Sequence, residues 1–477
     1  MKVLKFGGTS VQDAEAIRNV ARIIESRRPS PILVVVSACA GVTNSLLTAI
    51  RHAADRNLPG AVEEVLDLKL RHEGIANELL AKDRLTAFNR QLEADCAEVS
   101  AELSLMAEES EPSGIRSDAI VSFGEKWSSR LLSDALAEGR TAVELLDARD
   151  LLITDNEFTK ATPLFGPTNA SVRSVVLPYF AEGKVVVTQG FIGRTVDGAT
   201  TTIGRGGSDY SASIFGAALG VAEIEIWTDT DGILSADPRL VPDAVSLPEI
   251  STEEATELAH FGAKVVHPST LAPATDANIP VKILNSLNPS ARGTLIRPKS
   301  GGSERNSSEV KSVTGKKGVC TVAIRKDKRM NKFHFLQHVF HVLENHKEAV
   351  EFISSSETGV LVLTNDEEDH QPFLDELRHH DGVEIREDLA IVCAVGEFTA
   401  AGRSVLSRIH DVLLRDKIPS YLSYNGVSLH SVAVVIDASR FEETLSVLHD
   451  RLVKRSAVSA SPSGVQLRLI VQAGSAS

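Results

Sequence analysis

The chain lacks the features typical of secreted, membrane-spanning and nucleic-acid-binding proteins. Its 477 residues include 4 cysteines, no two of them in a Cys-x-x-Cys pair, so neither a disulfide framework nor a zinc site is expected. The formal net charge of −14 argues against a nucleic-acid partner, since such proteins usually carry a basic face. The N-terminus reaches Gly7 before any signal-like apolar run, and the apolar run Pro31–Val42 is too short to cross a membrane. We therefore expect a soluble cytoplasmic protein with reduced thiols and no membrane partner.

What is present is the composition of a globular protein, with 43% hydrophobic and 24% charged residues. The length suggests roughly three or four domains. Residues 1–297 alternate short apolar runs with segments of helical spacing, which predicts an α/β domain with a largely parallel sheet. A helical excursion is expected within it at about residues 60–115.

The C-terminal part has a different organisation. Residues 298–317 are rich in Gly, Ser, Lys and Glu, which predicts a linker. Residues 318–387 and 388–453 then share one order of strand and helix signals, so we expect two small βαββαβ modules. The Ser/Ala-rich tail, 454–477, contains one candidate last strand at 466–471.

The most informative segment is Thr201–Ala212, which holds a cation, three glycines, a hydroxyl and a carboxylate ahead of a helix-like run. Glycines let the backbone approach a ligand, and the N–H groups at a helix start attract anions. Arg205 adds a planar fork suited to a carboxylate or a phosphate. A small anion is therefore expected here, either a nucleotide or an acid.

Lys5, at the end of the first predicted strand, is a second candidate for holding an anionic group. Glycines and hydroxyls come next in Gly7–Ser10, so the lysine and the backbone N–H groups could hold transferring phosphoryl oxygens. A surface lysine before a glycine turn explains the tetrapeptide equally well. No P-loop string occurs, and Gly204–Asp209 lacks the third glycine of a dinucleotide fingerprint.

Two more polar segments follow predicted strands, where parallel sheets place their ligands. Ser37–Asn44 ends in hydroxyl and amide groups, which could bind a ligand or simply cap a helix. Thr228–Gly232, with Asp237–Arg239 after it, could hold ribose or Mg²⁺-bound phosphate, or form turns alone. His334, His338 and His341 have helical spacing, but without a carboxylate or cysteine among them they favour an exposed face over a metal site.

Eight strings in order resemble the aspartate kinases of the amino-acid kinase family and cover essentially all of residues 1–297. They are Lys5–Val11, Ser37–Asn44, Ser122–Glu125, Gln189–Gly193, Thr201–Ala212, Trp227–Asp229, Asp237–Arg239 and Phe261–Pro268. The helical excursion is similar to that of the longer subgroup, and the C-terminal modules resemble the paired ACT domains that sense end-product amino acids. The resemblance implies a three-layer α/β sandwich with a mainly parallel sheet, followed by two ferredoxin-like ACT modules.

The implied reaction moves the γ-phosphoryl of ATP to the β-carboxylate of L-aspartate, giving 4-phospho-L-aspartate for lysine, threonine and methionine synthesis. Lys5 would stabilise the transferring group, and Asp209 would organise the catalytic lysines. The amino-acid pocket would consist of Ser37, Thr43, Glu125, Arg205, Gly206 and Ser208, with Glu125 on the α-ammonium and Arg205 on the α-carboxylate. The ATP side would consist of Gly7, Gly8, Thr228, Asp229, Arg239 and Lys264. Mg²⁺ would be held through the ATP phosphates, with no metal site of the protein's own.

The resemblance also implies regulation and an oligomer. The residues that would hold an effector, lysine or threonine, are His334, Phe335, Leu336, Glu351 and Ser356. His334 stands where the family usually has glycine, and His430 stands near a common asparagine. Leu234 replaces an aromatic residue beside the nucleotide base, which predicts looser adenine packing. We expect a homodimer or a higher homo-oligomer built through the modules, since their strands would otherwise leave open edges.

Two alternatives stay open on the sequence alone. One is a sister kinase for glutamate or an acylated amino acid, although Arg205, Glu125 and Thr43 together favour a free amino acid. The other is a catalytically silent sensor with the same fold, against which Lys5 and Asp209 argue. A fused homoserine dehydrogenase is excluded by the length and the missing dinucleotide fingerprint.

Overall fold

The computed structural model describes residues 1–109, 113–204, 206–263, 268–298, 310–346, 350–365, 371–378, 382–398, 402–426 and 429–454. These residues form two compact units. The first consists of those within Met1–Leu234, Val245–His260 and Lys264–Glu304. The second consists of those within Ser235–Ala244, Phe261–Ala263 and Arg305–Ser477.

The first unit is built on a mainly parallel sheet. Its strands are β1 (Lys2–Phe6), β2 (Ile32–Val36), β3 (Val143–Leu146), β4 (Ile153–Thr154), β5 (Val185–Gln189), β6 (Ile192–Thr195), β7 (Thr200–Thr202), β8 (Glu223–Thr228), β9 (Glu249–Ser251), β10 (Val281–Asn285) and β11 (Thr294–Arg297). Eight of them form the sheet in the order β3-β5-β2-β1-β8-β10-β11-β9, and β10–β11 is its antiparallel pair. Strands β4, β6 and β7 form a separate small sheet. Strand β2, Ile-Leu-Val-Val-Val, is buried throughout, as expected of a central parallel strand covered on both faces.

Helices cover this sheet, and their sequences explain their positions. They are α1 (Ala14–Ser26), α2 (Val42–Ala54), α3 (Leu58–Leu79), α4 (Lys82–Glu108), α5 (Gly114–Val121), α6 (Phe123–Glu138), α7 (Phe165–Ala181), α8 (Gly207–Leu219), α9 (Thr252–His260) and α10 (Pro268–Asp276). In α1, Asp13 caps the first turn by accepting the Ala16 N–H at 2.9 Å, while Ile17, Val20 and Ile24 form the buried face. The range of the predicted helical excursion, about residues 60–115, contains α4 and nearly all of α3. No helix in the described part of the chain has the length and apolar character that crossing a membrane requires.

The second unit is an antiparallel sheet covered by helices. Its elements are β12 (Val310–Arg325), α11 (Lys332–Asn345), β13 (Val350–Ser355), β14 (Gly359–Asn365), α12 (Gln371–Arg378), β15 (Val383–Gly396), α13 (Gly402–Arg415), β16 (Ser420–Asn425), β17 (Ser431–Asp437) and α14 (Phe441–Leu448). A π-helical stretch, His449–Lys454, follows α14. The six strands are ordered β13-β14-β12-β15-β17-β16.

The two long strands, β12 and β15, each belong to both halves of this sheet. Residues 319–325 of β12 pair with β14, and the helices α11 and α12 cover a core that contains Val322, Phe335 and Phe373. Residues 310–317 of β12 instead pair with residues 390–396 of β15, beside a second core that contains Val313 and Leu445. Each half thus has four strands in ferredoxin-like order, and the first half of β12 is the fourth strand of the second half.

This arrangement differs from the sequence expectation at the linker. Residues 310–317 fall within the predicted linker but form the first half of β12. Their burial does not alternate along the strand, and they form a strand because β15 supplies the partner. Residues 299–309 and the tail 455–477, with its candidate strand at 466–471, lie outside the described residues.

Candidate active site

The predicted site residues of the first unit gather where strands β1, β2 and β8 end. The N–H of Gly7 donates to the Trp227 carbonyl, and the N–H of Ser37 donates to the Phe6 carbonyl, both at 3.1 Å. Because these strands are parallel, their carboxyl ends lie side by side. This edge is where open α/β sheets bind their ligands.

A cleft of about 590 Å³ opens at this edge. The predicted site residues that line it are Lys5, Gly8, Ser37, Thr43, Glu125, Gly206, Ser208 and Asp209. They come from β1, from the segments after β2 and before α8, and from α2, α6 and α8. Residues scattered over two hundred positions are thus brought to one cavity of the size that small-molecule sites have.

A cation and a carboxylate face each other in the cleft. Lys5 Nζ and Asp209 Oδ1 are 2.7 Å apart, and the two side chains are 11% and 19% exposed. Gly206, with a φ of 73°, turns the chain into α8, so the positive end of the helix dipole lies at the cleft. Lys5 and this helix start can together neutralise an anionic group.

Glu125, in the first turn of α6, is the most unusual ionisable group of the cleft. Its Oε1 accepts the Ala38 N–H at 3.1 Å, while Oε2 has no hydrogen-bond partner among the described residues. Burial raises the pKa of Glu125 to about 8, although the Ala38 N–H and the Lys5 charge act in the opposite direction. A buried carboxylate oxygen without a donor suits a ligand that brings its own cation.

The predicted nucleotide residues lie in different places. Thr228 ends β8 beside Gly7, and its hydroxyl donates to Asp229 Oδ1 at 3.2 Å. Arg239 belongs to the second unit, where its guanidinium pairs with Asp237 at 2.5 Å. Leu234 is half-buried and forms an isolated bridge with Ser246. Lys264 and the pocket residue Arg205 lie outside the described residues.

Most of the first unit matches a known protein family. Residues 1–285 match the Amino acid kinase family, which is more than half of the chain. The chain belongs to the amino acid kinase family. The chain is 33% identical over 460 residues to lysine-sensitive aspartokinase 3 of Escherichia coli (strain K12). The match covers 94% of this chain and 98% of that relative. The predicted family is therefore confirmed.

Solved structures agree over nearly the whole length. The crystal structure of E. coli aspartokinase III with aspartate and ADP (R-state) has a TM-score of 0.80 and 31% identity, covering 95% of this chain and 99% of that one. The structure of aspartokinase III with lysine and aspartate (T-state) has a TM-score of 0.78 and 31% identity, with the same coverage. The predicted fold class is therefore confirmed, including the two modules that follow the kinase unit.

The residues predicted to be regulatory lie in the second unit of this kinase-family chain, in different surroundings. On α11, His334 is exposed, Leu336 is half-buried, and Phe335 belongs to the core. On β13, Glu351 accepts hydrogen bonds from Lys316 at 2.8 Å and Asn365 at 2.7 Å. Ser356 follows β13 and bonds Thr358 at 2.9 Å.

The three histidines of α11 do not form a metal site. His334, His338 and His341 are all exposed. Among the described residues, no group of three or more histidine, cysteine or acidic side chains is placed to hold a metal ion. His430 is buried at the start of β17.

Sequence reasoning missed several residues that also line the cleft, among them Asp118, Thr159 and Thr202. Asp118 is 2% exposed and accepts three hydrogen bonds, from the Thr159 N–H, the Thr202 N–H and the Thr202 hydroxyl. Burial raises the pKa of Asp118, and these donors oppose the rise. Asp118 and Thr159 stand outside every string recognised in the sequence. Thr202 lies within Thr201–Ala212, but no role was assigned to it there.

Proposed function

We propose that this chain is an aspartate kinase, an ATP-dependent phosphotransferase with a carboxyl acceptor. It transfers the γ-phosphoryl of ATP to the β-carboxylate of L-aspartate and yields 4-phospho-L-aspartate, the first step toward lysine, threonine and methionine. The observation that carries the proposal is the unpartnered Oε2 of buried Glu125 in the same cleft as the Lys5–Asp209 pair. Relatives that span the chain are aspartokinases, one of them solved with aspartate and ADP.

Each residue role follows from its chemistry. Glu125 binds the α-ammonium, because Oε2 lacks a donor until the ligand supplies one. Lys5 neutralises charge on the transferring phosphoryl group, and Asp209 keeps the Lys5 ammonium in place. The remaining acceptor-site residues are Ser37, Thr43, Arg205, Gly206 and Ser208, of which Arg205 clamps the α-carboxylate. A sister kinase for acylated amino acids is disfavoured, because an amide would leave Glu125 without a cation.

The reaction needs positioning and charge neutralisation more than proton transfer. The β-carboxylate of aspartate has a pKa of about 4 and is ionised at neutral pH, so no general base is required. Phosphoryl transfer depends on holding the acceptor in line and on stabilising negative charge. A cleft lined by a lysine, glycines and a helix start, with no histidine among its described residues, meets this need.

ATP binds at the neighbouring strand ends, beside Gly7, Gly8, Thr228 and Asp229. The roles given to Arg239 and Lys264 on the ATP side rest on the family resemblance alone. Mg²⁺, when bound, would supply positive charge that offsets the charge of the phosphates. The residues fit an ion held mainly by the nucleotide, since no acidic cluster among the described residues could cage it. Asp229, next to Thr228 at the end of β8, is the residue that would help to hold such an ion.

The second unit has the regulatory role in this proposal. Its modules are residues 318–387 and 388–453, and β12, which begins at Val310, contributes to both. The effector is lysine or threonine, held around His334, Phe335, Leu336, Glu351 and Ser356, and a lysine-bound relative supports the first choice. A homodimer forms through the modules. A sedimentation profile with monomer alone at micromolar concentration would rule that dimer out. A cytoplasmic location agrees with the four cysteines, none of which forms a disulfide.

The test is an ADP-release assay with Mg·ATP and L-aspartate, in which hydroxylamine traps the acyl phosphate. We expect aspartate-dependent hydroxamate, and a loss of about a hundredfold or more in kcat for Lys5→Ala. The half-buried Lys69, on α3 and outside the cleft lining, supplies the control: Lys69→Ala should retain full activity. Turnover with glutamate or an acylated acid alone would indicate a sister kinase. Silence with every acid would indicate a sensor.

A further inference from the structure

One residue of the cleft has a strained backbone. Thr159, in the loop between β4 and α7, has a φ of 71°, in the left-handed region that side chains branched at Cβ strongly avoid. Among the described non-glycine residues with positive φ, it is the one with a branched Cβ. Such strain persists only where the surroundings enforce it, and it concentrates at functional sites.

Asp118 enforces this conformation. Its Oδ2 accepts the Thr159 N–H at 2.8 Å and the Thr202 N–H at 3.0 Å, and its Oδ1 accepts the Thr202 hydroxyl at 2.6 Å. The carboxylate lies in α5 and is 2% exposed. One buried group thus ties the loop to β7, the strand that leads through Gly204 to the start of α8.

Thr159, Asp118 and Thr202 line the same cleft as Glu125 and Ser208. Three donors already bond the Asp118 carboxylate, so it is not available to a ligand cation. The Oε2 atom of Glu125 has no donor among the described residues and is available. Thr159, in contrast, is an exposed residue of the cleft lining. Glycine would adopt the same backbone without strain, so the backbone conformation does not explain why threonine stands here.

We propose that Thr159 is a further acceptor-contacting residue that limits the length of the acid, and that Asp118 is the positioning residue that holds it. The inference rests on the proposed function, since the acceptor is taken to be an amino acid with a second carboxylate. A rigid wall at Thr159 favours the four-carbon acid over the five-carbon one. Removing the side chain leaves the catalytic groups in place but removes this wall.

The test compares Thr159→Gly with Arg140→Gly. Arg140 has a φ of 63° and is exposed after α6, so glycine relieves similar strain about 20 Å along the helix from Glu125. In both variants the relief of strain is opposed by the larger entropy of the unfolded chain, so Tm should change by at most a few degrees and alike in the two. Thr159→Gly should also raise the KM for aspartate about tenfold and lower the aspartate-over-glutamate ratio of kcat/KM, with the KM for ATP unchanged. Arg140→Gly should leave all kinetic constants unchanged.

Asp118→Asn separates positioning from folding. It should raise the KM for aspartate more than it lowers kcat, and it should lower the same specificity ratio. Thr159→Ser, which keeps the hydroxyl, should restore most of the acceptor affinity, and it remains informative if the glycine variant does not fold. Thr159→Gly with unchanged aspartate KM and unchanged specificity would overturn the inference. A wild-type protein without aspartate-dependent turnover would instead overturn the proposed function.

Discussion

Aspartate binding should expel a proton from Glu125. Burial raises the pKa of this carboxyl from 4.5 to about 8, so the free protein holds it mostly protonated at pH 7. With a pKa of about 8, the protonated fraction at pH 7 is about 0.9. An ammonium group on Oε2 stabilises the carboxylate and lowers its pKa, so binding at pH 7 should release about 0.9 proton per site.

Isothermal titration calorimetry in two buffers with different ionisation enthalpies measures this release. The affinity for aspartate should rise about tenfold per pH unit from pH 6 to 7 and level off above pH 8. Lys5, Asp209, Asp118 and Cys39 also face the cleft. Glu125→Gln isolates the glutamate from them and should abolish both effects. Binding without proton release, or with proton uptake, would refute the role given to Glu125.

The raised pKa also makes the stability of the free protein depend on pH. Because the folded-state pKa lies above the unfolded value, the contribution of Glu125 is fully present below about pH 4.5 and is lost as pH rises through about 8. The free energy of unfolding should therefore fall by at most about 1.4 kcal/mol per pH unit from this group. Saturating aspartate should remove this dependence in thermal melts between pH 5 and 8, and Glu125→Gln should remove it without ligand.

Two further predictions concern the folding of the first unit. Burial lowers the pKa of His72 to about 4, so its contribution to stability is present above pH 6.5 and is lost as pH falls toward 4. Thermal melts between pH 4 and 7 should show Tm falling with pH, and His72→Phe should reduce this dependence. If the variant and the wild type showed the same dependence of Tm on pH, His72 would be excluded as its source. Glu225 is 1% exposed and is bonded to Arg27. Glu225→Gln should therefore lower the free energy of unfolding by about 3 kcal/mol. Glu249 belongs to an exposed ion pair, so Glu249→Gln should lower the free energy of unfolding by less than about 1 kcal/mol. Urea titration measures both variants, and equal losses would contradict the difference expected between a buried and an exposed ion pair.

The first unit could be predicted largely from local patterns. The run Ile32–Val36 is apolar at every position, and the structure buries all five residues in a central parallel strand. Ile17, Val20 and Ile24 have helical spacing in the sequence, and they form the buried face of α1, Ala14–Ser26. These elements are specified by residues close to one another in sequence, so spacing is enough to find them.

The second unit shows where local patterns fail. Residues 310–317, Val-Lys-Ser-Val-Thr-Gly-Lys-Lys, contain two apolar side chains and read as a linker. They form a strand because β15, more than seventy residues later, supplies the backbone partners. Register with a distant strand is a tertiary property that composition does not carry.

The candidate site divides in the same way. Lys5, Glu125 and Asp209 stand in recognisable strings, and the structure brings them to one cleft. Asp118 could not be found, because its importance comes from the two segments that its carboxylate joins. The strain at Thr159 is a backbone property, and threonine gives no sequence signal for a positive φ.

The shared strand β12 makes the second module depend on residues that precede the first. A fragment of residues 388–454 would expose the backbone of 390–396 as an open edge and would remove Val310 and Val313 from the core. Both valines are buried, and burial of each stabilises by about 1.5–3 kcal/mol, which is a large share of the stability of a small domain.

Fragment 388–454 should therefore show no cooperative melting by circular dichroism, whereas 310–454 should melt cooperatively. Fragment 318–387 serves as the control, because it keeps four strands of its own, from the second half of β12 to the start of β15, and should fold. If 388–454 melted as cooperatively as 310–454, and at the same temperature, the first half of β12 would be dispensable. The second module would then be a contiguous domain, as the sequence alone suggests.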